Sequence, residues 1–210
     1  MTREELAAKY FKGHGLEIGG LPTPWPTGLV ECEVEYCEKE LRHADKHTRI
    51  DDGNYCAGYL PNSFDFICNS HVLEHMEDPI GAIESWLRIL KPRGHIVMAI
   101  PEMTQTFDKF RPITTWSHIV CDWKVPGHKE AHRAEHYAEY CWTSTEAMDV
   151  LNRQERFKMY METKSDTHFH VWDARTLAQH FLSMRDFLPF VIKEWEMTGI
   201  EVFVVLEKTK

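Results

Sequence analysis

The chain has 210 residues and a hydrophobic content of 43%, which is enough for one domain with a well-packed core. Its formal net charge of −9 argues against a nucleic-acid backbone as the main partner. No apolar run is as long as a membrane span, and residues 1–5 lack the apolar core of a signal peptide, so we expect a soluble, cytoplasmic protein. The six cysteines show no CxxC spacing and are expected to be reduced thiols.

The first predicted elements are a short helix over residues 2–12, capped by Thr2, and a buried strand over Gly15–Gly19. The strand contains Glu17 and is followed directly by Gly20. Glycines at the carboxyl end of a strand let a ligand approach the backbone closely. Ligands of parallel α/β sheets bind at that edge, so this segment predicts a ligand site.

The next segment combines a proline-rich loop with a second strand. The prolines of Leu21–Pro26 exclude a long helix directly after the first strand, and we expect this loop to lie over the ligand. Apolar and acidic residues alternate over Val30–Cys37, which predicts a strand with one solvated face and Glu38 at its end. Residues 39–62 then include a predicted turn at Asp51–Asn54.

A parallel βαβ unit is predicted from three further elements. Phe64–Cys68 has the pattern of a buried strand, and a helix begins at Pro79 with Asp78 as its N-cap. The turn residues of Lys91–Gly94 end the helix and lead into a strand over His95–Ile100. Two strands joined by a helix of this length pair in parallel, with a right-handed crossover.

The C-terminal half has a different composition. Residues 102–165 are rich in aromatic residues, histidine and charge, and we interpret them as helices and loops inserted above the sheet. Asp173 is the predicted N-cap of a helix over Ala174–Met184. The chain closes with a predicted β-hairpin formed by Phe190–Met197 and Ile200–Glu207.

Four motifs in this order resemble the class I S-adenosylmethionine-dependent methyltransferases. They are the Glu-x-Gly-Gly segment Glu17–Gly20, the acid Glu38, the phrase Phe64–His75 and the segment Leu90–Gly94. The core over residues 13–101 is most similar to the small bacterial branch with a methyltransferase domain 11-like core. The resemblance implies S-adenosylmethionine as the cofactor and S-adenosylhomocysteine as the product.

The resemblance also implies an α/β fold, Rossmann-like and doubly wound. Its mostly parallel seven-stranded sheet would end in an antiparallel C-terminal hairpin, with a helical insert over the active site. We expect a single methyltransferase domain over residues 1–210. Within it, 1–101 would form the cofactor-binding half, 102–185 the acceptor-site insert and 186–210 the hairpin.

By the same resemblance, the cofactor lies along the carboxyl ends of the first, second and fourth strands. Glu17, Gly19 and Gly20 would line the methionine end, and Glu38 would bind the ribose hydroxyls. Asp51 or Asp52 would lie near the adenine. The sulfonium would be faced by the three residues after the fourth strand: Asn69, Ser70 and His71. A carboxylate suits the ribose because it accepts two hydrogen bonds from a vicinal diol. The family's third glycine is missing after Gly20, so the sequence leaves open how the amino-acid tail is held.

Three histidines are candidates for the catalytic base, which a hydroxyl acceptor needs. His71 directly follows the central strand, His75 lies four residues later, and His170 belongs to the His-Phe-His sequence at 168–170. A space-filling role is the alternative for His71, and a structural role at a helix end is the alternative for His75. Proposed acceptor-binding residues are Arg111, His136, Tyr137 and His168.

The sequence assigns no metal, although two pairs have suitable ligand types. Glu74 with His75, and His168 with His170, would each need further ligands of matching geometry. Two other interpretations also stay open: Arg111 lies on a solvated loop, and the histidines of the helical insert form a solvated helix face.

These observations predict a methyltransferase that acts on an oxygen or nitrogen atom of a small-molecule or sugar-type metabolite. We expect no nucleic-acid or membrane partner, and a monomer or homodimer. A catalytically silent binding protein with the cofactor fold is the alternative. A nicotinamide-dependent oxidoreductase is less favoured, because the chain lacks G-x-G-x-x-G after the first strand.

Overall fold

The computed structural model describes residues 1–20, 24–38, 48–50, 53, 55–144 and 152–210. Its helices are α1 (Arg3–Tyr10), α2 (Pro79–Ile89), α3 (Trp116–Lys124), α4 (His128–Thr143), α5 (Arg153–Thr163) and α6 (Ala174–Met184). Its strands are β1 (Gly13–Ile18), β2 (Cys32–Glu38), β3 (Thr48–Ile50), β4 (Phe64–Ser70), β5 (Leu90–Pro101), β6 (Phe190–Thr198) and β7 (Glu201–Lys208).

The strands form one sheet in the order β3-β2-β1-β4-β5-β7-β6. From β3 to β5 neighbouring strands are parallel, whereas β7 is antiparallel to both β5 and β6. The predicted α/β class is confirmed. None of the helices in the described ranges is long and apolar enough to cross a membrane.

Apolar side chains of the central strands alternate between two cores, one on each face of the sheet. Leu16 and Ile67 belong to the core under α2 and α6, whereas Phe66 and Cys68 belong to the core under α1. This alternation follows from the two-residue period of a strand. Helices therefore cover both faces and leave the carboxyl ends of the parallel strands as the exposed edge.

Local capping rules correctly predict where the helices begin. Thr2 forms a capping box with Glu5 at the start of α1. The Asp78 carboxylate accepts from the backbone N–H of Gly81 at 2.8 Å, and Asp173 caps α6 in the same way. Each side chain satisfies a backbone donor that the first helical turn leaves without a partner.

The segment Lys91–Gly94 is part of β5 and not a turn before it. Phe64 pairs with Leu90 and Phe66 pairs with His95, so β5 contains extra residues between these two pairs. The result is a bulge, which the Lys91 ammonium fastens to the Asp65 carboxylate at 2.8 Å. The helix does end before this segment, as predicted.

The loop after β1 contributes to the core. Trp25 is buried, and its ring packs edge-on against Phe11. In the part of the Leu21–Pro26 loop that the structure describes, Trp25 packs on the α1 face of the sheet; residues 21–23 are outside the described ranges. The described connection to β2 holds a single 3-10 turn, Thr27–Leu29, in agreement with the effect expected of the prolines.

We predict that Gly15→Ala lowers the free energy of unfolding by about 1–3 kcal/mol, the usual penalty for overpacking a core. A Cβ at Gly15 would lie 2.1 Å from the Phe66 ring, which stacks on Phe11 at 4.5 Å and has little room to move. Urea unfolding of both proteins measures the difference. Gly28→Ala is the control, because its Cβ meets nothing within 4 Å; equal stability of the two variants would contradict the prediction.

Candidate functional site

The candidate site lies at the carboxyl ends of β1 and β4, which are neighbours in the sheet. Ile18 pairs with Asn69 at this edge. The strand order reverses here, because the chain runs outwards from β1 to β3 on one side and from β4 to β5 on the other. Crossover connections then leave in opposite directions and open a crevice, which is the usual ligand position in such sheets.

Glu17 lies buried at this crevice with one carboxylate oxygen engaged. Its Oε1 accepts from the backbone N–H of Trp25 at 2.8 Å, whereas Oε2 has no hydrogen-bond partner among the described residues. Burial raises the pKa of Glu17 to about 7; the Trp25 N–H opposes this rise, and the charge of Glu38 adds to it. The carboxyl group is therefore available to a ligand that brings a hydrogen-bond donor or a positive charge.

The glycine pair after β1 packs closely against neighbouring side chains. Gly19 has a φ of +64°, and its N–H donates to the Cys37 carbonyl at 2.9 Å. A Cβ at Gly20 would lie 2.3 Å from the Glu17 carboxyl, so no larger residue fits there without movement. Glu38 ends β2 beside them. The predicted adenine-side acid, Asp51 or Asp52, lies outside the described residues.

The predicted residues after β4 lie together but have different surroundings. Asn69 is fully buried, and neither atom of its amide has a hydrogen-bond partner in the described part of the chain. The Ser70 hydroxyl accepts from the Arg3 guanidinium at 2.7 Å. His71 adopts a φ of +55°, and its Nε2 lies 2.7 Å from Glu201 Oε1. This hydrogen bond raises the pKa of His71.

A buried carboxylate surrounded by three imidazoles forms the centre of the site. Glu74 Oε1 lies 3.8 Å from His71 Nδ1, 3.8 Å from His75 Nε2 and 3.7 Å from His168 Nε2. The Glu74 side chain is 1% exposed, and neither of its oxygens forms a hydrogen bond within the residues that the structure covers. We call these four residues the Glu74 cluster.

Two of these imidazoles are oriented by aspartates from the insert. His168 Nδ1 lies 2.6 Å from Asp108 Oδ2, and His75 Nδ1 lies 3.0 Å from Asp166 Oδ1. When each Nδ1 donates to its aspartate, each Nε2 becomes an acceptor directed towards Glu74. The arrangement is that of two aspartate–histidine pairs that converge on one carboxylate.

Arg111 is buried and contacts residues that position His168 in the Glu74 cluster. Its guanidinium contacts Asp108 Oδ1 at 3.0 Å, the His168 carbonyl at 2.8 Å and Glu139 Oε1 at 2.9 Å. The alternative interpretation as a solvated loop is wrong, because three acceptors hold this cation in the interior. With these contacts Arg111 fixes Asp108 and His168.

His136 and His170 lie in a second group of side chains, which we call the insert histidine cluster: His118, Asp122, His136 and His170. His118 Nε2 is 3.1 Å from His136 Nε2 and 3.2 Å from Asp122 Oδ2. Burial lowers the pKa of His136 to about 3 and that of His170 well below the usual value. These rings are therefore neutral at physiological pH.

The pair His168 and His170 does not act as one unit. The segment 165–173 is not a strand, and the two rings enter different clusters. Tyr137 is also buried, with its hydroxyl donating to the Ser165 carbonyl at 2.9 Å. The α4 face that carries His136 and Tyr137 is consequently buried, and the alternative of a solvated helix face is wrong.

Sequence reasoning missed several residues that complete these clusters: Asp108 and Asp166 as partners of histidine, Glu201 beside His71, and His118 with Asp122 on α3. The only local signal was the i,i+4 spacing of His118 and Asp122, which places both on one side of a helix. The other partners come from distant segments, so no spacing indicates them.

We predict that Glu17→Gln stabilises the ligand-free protein at pH 8. A pKa raised from 4.5 to about 7 makes the contribution of Glu17 most favourable below pH 4.5, and this contribution is lost as the pH rises through about 7. The full change corresponds to about 3 kcal/mol, which neutral glutamine should recover in large part.

Urea unfolding at several pH values measures this effect. The gain from Glu17→Gln should shrink as the pH falls from 7 towards 4.5. Glu33→Gln on the exposed side of β2 is the control and should change little at any pH. A Glu17→Gln variant less stable than the parent at pH 8 would show that the carboxylate is not a destabilising group.

Comparison with known proteins identifies the family. A sequence model described as a methyltransferase domain matches residues 4–183. A search of curated protein sequences finds no significant match.

Solved structures share the fold at low sequence identity. A protein from Pyrococcus horikoshii OT3 is 14% identical, with a TM-score of 0.58 over 99% of this chain and 88% of that chain. An S-adenosylmethionine-dependent methyltransferase from Mesorhizobium loti is 12% identical, with a TM-score of 0.56 over 99% and 98% of the two chains. One from Methanosarcina mazei is 14% identical, with a TM-score of 0.55 over 97% and 96%. The chain belongs to the methyltransferase domain family and is an S-adenosylmethionine-dependent methyltransferase.

Proposed function

We propose that this methyltransferase modifies a hydroxyl or amine group of a small molecule and that the Glu74 cluster receives the proton of that group. One observation carries the proposal: the nitrogens of His71, His75 and His168 surround the buried Glu74 carboxylate at 3.7–3.8 Å. The cluster follows β4 at the crevice where the fold binds ligands. It therefore lies where a methyl acceptor would meet the donor.

Three features of the crevice fit the methyl donor. Glu17 Oε2 and the Asn69 amide are buried polar groups without hydrogen-bond partners among the described residues, and two glycines follow β1 beside them. A buried carboxylate at Glu17 favours a cationic group such as the amino group of the methionine part. In this proposal Gly19 and Gly20 give that part access to the backbone, and Glu38 binds the ribose hydroxyls.

His75 is the proposed base. Asp166 Oδ1 lies 3.0 Å from its Nδ1, and its Nε2 lies 3.8 Å from Glu74 Oε1. An acceptor O–H or N–H group that approaches Glu74 Oε1 is therefore within reach of the His75 imidazole. The His75 side chain is 26% exposed and can pass the proton on to solvent.

The bound donor supplies an already activated methyl group, so the protein mainly aligns the two reactants and excludes water. Alignment of this kind can contribute about 7–11 kcal/mol in favourable cases. His71 and His168 fix the position of Glu74 from two further sides, and Asp108 with Arg111 prevents rotation of the His168 ring. Removal of the proton by His75 then accounts for the remaining chemical requirement.

Burial and charge support a small acceptor. Glu74 and His168 are nearly inaccessible, and His71 and His75 are only partly exposed, so a bulky macromolecular surface would reach the cluster poorly. The net charge of −9 disfavours nucleic acid. We also propose that the insert over residues 102–185 selects the acceptor, since Asp108, Asp166 and His168 all belong to it.

His170, a candidate base in the sequence analysis, is not the base in this proposal. Its side chain has no exposed surface, and it lies among His118, His136 and Asp122. A base must reach the proton that it removes. Proton transfer is therefore assigned to His75, which is accessible.

We predict that Glu38→Ala weakens S-adenosylhomocysteine binding by about 1.5–3 kcal/mol, the range for hydrogen bonds to a charged group. Isothermal titration calorimetry measures the dissociation constant, with NADH as a ligand that should not bind. Glu33→Ala, on the exposed side of the same strand, should bind like the parent. An unchanged affinity in Glu38→Ala would remove the ribose assignment.

We predict that His75→Gln lowers turnover by about 100-fold or more, the size of a general-base contribution, and leaves S-adenosylhomocysteine affinity within about twofold. The assay follows S-adenosylhomocysteine release with a panel of hydroxyl and amine metabolites. His14→Gln is the control and should leave turnover unchanged, because His14 lies at the N-terminal end of β1 and pairs with Glu35. Methylation of RNA or protein but of no small molecule would refute the acceptor class, and full activity of His75→Gln would refute the base.

A further inference from the structure

The insert histidine cluster joins three separate parts of the insert. α3 supplies His118 and Asp122, α4 supplies His136, and the segment before α6 supplies His170. One ring nitrogen of each histidine lies within 4.8 Å of one ring nitrogen of each of the others. Asp122 Oδ2 lies 3.2 Å from His118 Nε2 and 3.8 Å from His170 Nε2, so a negative charge lies beside these nitrogens.

Several polar atoms of the cluster lack hydrogen-bond partners. Neither ring nitrogen of His170 forms a hydrogen bond of good geometry within the described ranges, and the same is true of His136 Nδ1 and Asp122 Oδ2. His170 is completely buried, so bulk solvent does not reach its ring. Buried polar groups gathered around one point are favourable only when a further group or an ion satisfies them.

The separation between the His118 and His136 nitrogens is close to that in a zinc site. Zinc binds histidine nitrogen at about 2.0–2.1 Å in tetrahedral geometry, which places neighbouring ligand atoms about 3.3 Å apart. The observed distance between His118 Nε2 and His136 Nε2 is 3.1 Å. Two imidazole nitrogens this close either share a proton or bind the same ion, and three neutral imidazoles with a carboxylate suit zinc.

Groups around the cluster hold its members in place. His128 Nδ1 lies 2.7 Å from Asp122 Oδ1, which fixes the carboxylate. The backbone of Glu77 lies close to the His170 ring, and the backbone of Phe169 lies close to the His136 ring. Ligating histidines usually present their second ring nitrogen to a carbonyl or carboxylate in this way.

We propose that His118, His136 and His170 bind one zinc ion, with the adjacent Asp122 carboxylate balancing its charge. The ion would link α3 and α4 to the segment that carries His168. It would thereby stabilise the position of His168 in the Glu74 cluster. No residue of this site belongs to the Glu74 cluster, so zinc binding can be tested without an acceptor.

The test is zinc binding by the untagged full-length protein after treatment with a chelator and dialysis. Titration with zinc against a chromophoric chelator should give one tight site per chain, and cobalt should give the visible absorption of a tetrahedral nitrogen-ligated ion. Loss of a carboxylate that contacts a ligating histidine costs about 10–100-fold in metal affinity, so Asp122→Asn should fall in that range. His118→Gln and His136→Gln each remove a ligand and should lose at least about 100-fold.

His180→Gln is the matched control, because His180 is also buried in the insert and lies outside the cluster. It should bind zinc like the parent. The His118 side chain is partly exposed, so His118→Gln should keep the fold, and circular dichroism verifies this. The result for His118→Gln is then valid even if His136→Gln unfolds. A parent protein without a stoichiometric site, or a folded His118→Gln variant with the affinity of the parent, would overturn the proposal.

Discussion

The reversal of strand order between β1 and β4 is the constraint on which the rest of the site depends. Adjacent parallel strands whose connections leave in opposite directions open a crevice at their carboxyl ends. Buried polar groups collect there because the following residues, Gly19 and His71, both adopt positive φ and turn the chain out of the sheet. One Glu17 oxygen at the crevice has no hydrogen-bond partner among the described residues, and Glu74 follows one turn after β4. The proposed donor and acceptor sites are thus brought together by topology.

One backbone carbonyl connects this crevice to the insert. The Glu74 carbonyl accepts from the N–H groups of Phe169, at 2.8 Å, and of His170, at 3.1 Å. This contact places His168 on one side, beside the Glu74 carboxylate, and His170 on the other, beside His136. The two histidine clusters therefore share an anchor, and order in one should favour order in the other.

The sequence was informative where the physics is local. The caps at Thr2, Asp78 and Asp173 each require a backbone N–H only three residues away, and all three are present. The motifs within residues 13–101 are equally short. The roles of His168 and His170 were not predictable, because their partners come from other segments and the segment 165–173 is not a strand. Convergence of distant side chains has no signature in a single sequence.

The central claim is that the donor binds at the β1–β4 crevice with its sulfur directed towards the Glu74 cluster. A crystal structure of the protein with S-adenosylhomocysteine tests it most directly. The account predicts the ribose at Glu38, the amino-acid part at Glu17 and Gly20, and the sulfur on the side of His75. A ligand bound elsewhere, or one whose sulfur is separated from His75 by the rest of the molecule, would contradict the account.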